Sequence, residues 1–106
     1  MRNINKSEIN TYITEYQRDF IASLKDTGIN MSSIARLAIR KYGSDKPMER
    51  IEDTGKKIRV NLYLESTDLK NLQEIGLREG ITSSEVLRHL ISKYLRIHEK
   101  ILKQLL

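Results

Sequence analysis

The chain has 106 residues and a mass of 12.4 kDa, room for one small domain or two very small modules. Its 19 Lys+Arg against 14 Asp+Glu give a net charge of +5 and a sequence pI of about 9.6, a balance that points to polyanionic partners. The absence of Cys excludes a disulfide framework, a thiolate nucleophile and a Cys-based zinc site, and five Tyr, one Phe and no Trp argue against a deep ligand pocket.

In chain order, the polar start Met1-Arg2-Asn3-Ile4-Asn5-Lys6 does not read as a signal peptide, and no apolar run is long enough to span a membrane. Ile9, Thr11 and Ile13 then alternate with Asn10 and Tyr12, the period-two pattern of a half-buried strand. Tyr16, Phe20 and Leu24 follow at helical spacing, and Gly28 is expected to end that helix. Asn30 suits the N-cap of a second helix with an apolar stripe of Ile34, Ala35, Leu37, Ala38 and Tyr42. Residues 44–56 hold the only Pro and seven charges, which is linker composition. At about 3.3 Å per extended residue, such a linker is long enough to return a second strand beside the first.

The second strand is the clearer one, with Ile58, Val60, Leu62 and Leu64 alternating with Arg59, Asn61 and Tyr63. Behind Ser66-Thr67-Asp68, which is N-cap material, Leu69, Leu72 and Ile75 mark a helix over Asp68–Glu79. Gly80 suits the left-handed position that closes a helix. Thr82-Ser83-Ser84-Glu85 reads as a capping box with Thr82 as N-cap, followed by the stripe Val86, Leu87, Leu90, Ile91, Tyr94 and Leu95. Ile97, Ile101, Leu102 and Leu105 keep helical spacing through the tail, either as an extension of the last helix or as a separate short one.

These elements repeat. Gly28–Tyr42 laid over Gly80–Tyr94, an offset of 52, matches Gly28/Gly80, Ile29/Ile81, Ser32/Ser84, Arg36/Arg88, Ile39/Ile91, Lys41/Lys93 and Tyr42/Tyr94. The strands align at an offset of 51, Asn10 over Asn61 and Tyr12 over Tyr63. We read the chain as a tandem duplication: residues 1–43 and 57–96 as two motifs, 44–56 as a linker and 97–106 as a helical extension. The charge divides the same way, 7 basic and 4 acidic residues in 1–43, 3 and 4 in 44–56, 9 and 6 in 57–106.

One strand and two helices cannot bury a strand face alone, and a lone two-stranded ribbon is marginal in water. The expected fold is therefore mainly α (α+β), an antiparallel two-stranded ribbon over four helices that share one core. The outward face would carry Arg59, Asn61 and Tyr63 beside Glu8, Asn10 and Tyr12, on a ribbon sized for the DNA major groove.

The run Lys57–Leu64, the helix Asp68–Glu79 and the Gly80-Ile81-Thr82-Ser83-Ser84-Glu85 turn into the next helix resemble the ribbon-helix-helix superfamily (the MetJ/Arc/CopG type). Residues from about Lys6 to Tyr42 resemble a diverged second copy, and the pair is similar to small tandem regulators of archaeal viruses. The resemblance implies an intrachain pseudo-dimer that regulates transcription by reading double-stranded DNA, in a cytoplasm (the host's, if viral). It implies base contacts from Arg59, Asn61 and Tyr63, with Glu8, Asn10 and Tyr12 equivalent. It also implies phosphate contacts at the helix starts Thr82-Ser83-Ser84 and Asn30-Met31-Ser32. Lys56, Lys57 and Lys6 flank the strands and add phosphate neutralisation.

Glu8 stands where the second copy has Arg59, and DNA repels a carboxylate unless it accepts from cytosine N4. Either the two strands read different bases, or the register of the first copy shifts and brings Lys6 and Ser7 into the reading face. The plainer alternatives are a solvated sheet face for Arg59, Asn61 and Tyr63, simple caps for the Ser-rich turns, and rim packing for Tyr42 and Tyr94. Arg36 and Arg88 receive no role. His89 and His98 lie nine residues apart and share no helix face, so no metal site is expected, nor a cofactor, a small-molecule ligand or catalysis. The tail residues Ile97, Ile101, Leu102 and Leu105 are expected to join chains into a homo-oligomer rather than to lie on a membrane. The rival functions are an antitoxin-type autorepressor that also binds a toxin, and an interaction module of the same fold without DNA binding.

Overall fold

The computed structural model describes residues 6–24, 26, 28–51 and 55–104, and only the backbone of residues 6, 7, 100, 102 and 103. It is a small α+β protein whose elements run β1 Lys6–Thr14, α1 Glu15–Ala22, α2 Met31–Tyr42, β2 Lys57–Glu65, α3 Ser66–Glu79 and α4 Ser83–Lys103. The two strands pair antiparallel, with Asn10 opposite Asn61, Tyr12 opposite Arg59 and Glu8 opposite Tyr63. Glu8, Asn10 and Tyr12 are all exposed, the alternation expected from the 51-residue offset, while the side chains of Lys6 and Ser7 lie outside the described residues.

Alternation decides which face is buried. Thr11, Ile13, Leu62 and Leu64 are buried beneath the sheet, and Ile9, Ile58 and Val60 pack partly against the same core. Below them lie Ile34, Ala35, Ala38 and Ile39 of α2 and Val86, Leu87, Leu90 and Ile91 of α4. The two halves thus fill one core with equivalent positions. Leu37, placed in the α2 stripe from sequence, is instead 47% exposed and Ile39 takes its place. At 100° per residue, 34, 35, 38, 39 and 42 share one face and 37 does not.

Several boundaries differ from the sequence expectation. Helix α1 ends at Ala22 rather than at Gly28, with Ser23 as its C-cap and the Ser23 hydroxyl donating back to the Phe20 carbonyl. Its start is a full capping box, Thr14 with Gln17. Its buried residues are Gln17, Phe20 and Ile21, while Tyr16 is 52% exposed. Helix α3 begins at Ser66, so Ser66-Thr67-Asp68 lie inside it. Asp68 is buried and accepts from Arg40 Nε at 3.1 Å and Nη2 at 2.8 Å, tying α3 to α2. This contact holds the Arg40 guanidinium more firmly protonated. Gly80 does close α3 in the left-handed conformation, φ 72° and ψ 30°. The tail extends α4 as one helix of 21 residues.

Residues 44–51 are strapped down rather than free. Met48 is buried, and its amide donates to Glu79 at 3.0 Å. Lys93 meets Asp45 at 2.8 Å and Glu49 at 3.3 Å, and Glu49 also pairs with Arg96. His89 Nδ1 sits 3.0 Å from the Ile51 amide.

Candidate functional site

The sheet has two outer edges whose backbone groups need partners. On α4, Ser84 and Arg88 are four residues apart and share a helix face. Ser84 Oγ accepts from the Tyr12 amide at 3.1 Å, and Arg88 Nη1 donates to the Tyr12 carbonyl at 3.1 Å. On α2, Ser32 Oγ accepts from the Tyr63 amide at 3.0 Å, and Arg36 Nη1 donates to the Tyr63 carbonyl at 3.0 Å. Each pair satisfies both outward groups of a single tyrosine, on the strand contributed by the other half of the chain. Arg36 and Arg88, which the sequence left without a role, are therefore strand clamps.

This locks the exposed face. Glu8, Asn10, Tyr12, Arg59, Asn61 and Tyr63 all project to solvent from it, and Tyr12 and Tyr63 are 49% and 52% exposed. The six side chains singled out from sequence are thus brought together on one surface. They offer a guanidinium fork, two amides that both donate and accept, two phenols and one acceptor-only carboxylate. Lys56 and Lys57 are exposed at the start of β2. Lys6 begins β1 opposite Glu65, but its side chain lies outside the described residues.

The clamps also bring the starts of α2 and α4 to opposite edges of the sheet. Asn30 Oδ1 caps α2 through the Ser33 amide at 2.9 Å, and Thr82 Oγ1 caps α4 through the Glu85 amide at 3.1 Å. The Met31 and Ser32 amides, and those of Ser83 and Ser84, belong to first turns that have no preceding carbonyls and carry the positive end of the helix dipole. The hydroxyls of Ser32 and Ser84 are engaged with the strands, so those two positions offer amides. Met31 packs partly against the core.

Sequence reasoning missed three polar residues that build this platform: Arg36 and Arg88, and Gln17. Gln17 is fully buried, and its amide accepts from Thr14 N at 3.0 Å and donates to Arg88 O at 3.0 Å and Ser92 Oγ at 2.7 Å. The Ser-x-x-x-Arg spacing, repeated in both halves, was the visible signal for the clamps.

Elsewhere, Ile97 and Ile101 of α4 are 50% and 62% exposed, whereas the Leu102 side chain and all of Leu105 lie outside the described residues. His98 contacts the Tyr42 hydroxyl at 3.1 Å, and among the described residues no cluster is suited to a metal ion. No described helix is long and apolar enough to cross a membrane. No family model, curated protein or solved structure matches the chain.

Proposed function

We propose that the chain is a sequence-specific double-stranded DNA-binding regulator of transcription, built as two ribbon-helix-helix motifs that form an intrachain pseudo-dimer. The observation that carries this reading is the single exposed sheet face bearing Glu8, Asn10, Tyr12, Arg59, Asn61 and Tyr63, with helix starts at both edges. Two strands about 4.8 Å apart fit the major groove, roughly 12 Å wide. There Arg59 can bond guanine O6 and N7, and Asn10 and Asn61 can bond adenine N6 and N7. The first-turn amides of α2 and α4 straddle the ribbon as phosphate donors, and Lys56, Lys57 and Lys6 add charge. Ile97 and Ile101 suit contacts between adjacent chains, which would multiply affinity over neighbouring sites.

An anisotropy titration tests the reading, comparing a duplex selected from a random pool with unselected duplex over a series of salt concentrations. The selected duplex should bind at least about a thousandfold tighter, with log affinity falling linearly against log salt. Equal affinity for both duplexes would contradict sequence-specific regulation.

A further inference from the structure

The six exposed residues Glu8, Asn10, Tyr12, Arg59, Asn61 and Tyr63 are symmetric in all but one respect. Asn10 faces Asn61 at its centre, so exchanging the strands carries Asn10 onto Asn61, Tyr12 onto Tyr63 and Glu8 onto Arg59. Two of these three exchanges conserve the residue. The third replaces a guanidinium with a carboxylate, at diagonally opposite corners of the same surface.

We propose that the chain reads a non-palindromic DNA site in one fixed orientation, with Glu8 and Arg59 as the residues that set the direction. This rests on the DNA-binding reading above and adds the form of its target. Arg59 has only donors and selects guanine, whose major-groove edge offers two acceptors. Glu8 has only acceptors when ionised and selects the cytosine N4 amine, while guanine at that place sets acceptor against acceptor.

Positions related by the strand exchange fall on opposite strands of the duplex. A guanine read by Arg59 on one strand is therefore matched, across the centre, by a cytosine that Glu8 reads on the other, and the partner of that cytosine is a second guanine on the first strand. The preferred site carries both guanines on one strand, flanking the centre read by Asn10 and Asn61. A palindrome would place them on opposite strands. Turning the chain around on its site brings Glu8 to guanine and Arg59 to cytosine, so one orientation wins.

The test is selection by the full chain from duplexes with a random core of about ten base pairs, one turn of DNA. Titration follows with the selected site and with the two palindromes made by inverting each half. The expected motif lacks dyad symmetry and has its flanking guanines on one strand. The selected site should bind at least about fivefold tighter than either palindrome. Glu8→Arg, a change at an exposed position, should shift preference to the palindrome of the Arg59 half.

A dyad-symmetric motif, a palindrome bound as tightly as the selected site, or a Glu8→Arg preference identical to that of the parent would overturn the directional reading and leave DNA binding intact. A pool from which no motif emerges would overturn the DNA-binding reading and this inference together.

Discussion

Asn10 lies directly opposite Asn61, and the two are 51 positions apart, the same offset at which the two strands align in sequence. In this register one residue meets its own counterpart, and that residue is an amide at the middle of the exposed face. The clamps follow the same relation, with Ser32 and Arg36 on Tyr63 and Ser84 and Arg88 on Tyr12.

The first prediction concerns the reading face. Arg59→Ala should weaken binding to a selected duplex by about 1–3 kcal/mol while leaving binding to unselected duplex within about a factor of three. Competition anisotropy separates the two. An equal loss on both duplexes would make Arg59 a phosphate contact rather than a base reader.

The clamps are stability elements. Arg36→Ala and Arg88→Ala should each cost about 0.5–1.5 kcal/mol, one hydrogen bond to a strand edge. Because the two act on opposite edges and share no partner, the double variant should show the sum of the single losses. Urea unfolding of the four proteins measures this. A double variant no less stable than either single one would show that the edges are not independently held.

Gly76 offers a prediction of sign. It sits inside α3, where Ala ordinarily raises helix stability by about 1 kcal/mol. Here a Cβ would stand 2.7 Å from the Ile81 carbonyl oxygen, in the turn that joins α3 to α4. The backbone of that turn is held by the Ile81 amide on Gly76 O at 3.0 Å and cannot yield cheaply. Gly76→Ala should therefore lower the thermal midpoint rather than raise it.

Acid should loosen the strap over α4. The Met48 amide, and then Arg78 and Arg50, hold the Glu79 carboxyl below the usual range, and Arg96 and then Lys93 do the same for Glu49, with desolvation opposing in both cases. A carboxylate whose pKa falls on folding stabilises the protein above its unfolded pKa and loses that contribution as pH drops through the folded value. Stability should hold down to about pH 5 and decline below about pH 4, and Glu49→Gln with Glu79→Gln should flatten the decline. The hydrogen-exchange protection factor of the Met48 amide should fall over the same range. An exchange rate that follows only the ordinary pH dependence of an open amide would count against the strap.

Much of this architecture was legible from residues alone, because the signals were periodic. Ile58 to Leu64 could only be a strand buried on one side, and Gly80 marked a turn that its positive φ bears out. The readings that went astray were of polar residues with long-range partners. Asp68 looked like a helix cap, and is a buried partner for Arg40, 28 residues earlier in sequence. Gln17 interrupts an apolar stripe, and is buried because it meets carbonyl and hydroxyl groups on α4 that no local pattern announces. Arg36 and Arg88 were visible as a repeated pair, but their targets are backbone groups, which have no letter in a sequence. The 44–51 segment has linker composition, yet its Asp45, Glu49 and Arg50 pair with Lys93, Arg96 and Glu79, partners far away in sequence.

The central claim is that the exposed face of the two strands is the surface that meets DNA. Backbone amide resonances followed during titration with a selected duplex test it most directly. The account predicts that the largest shifts fall on Glu8–Tyr12, on Arg59–Tyr63 and on the first turns of α2 and α4. Shifts confined to the far end of α4 or to the 44–51 strap, with both strands unmoved, would contradict it.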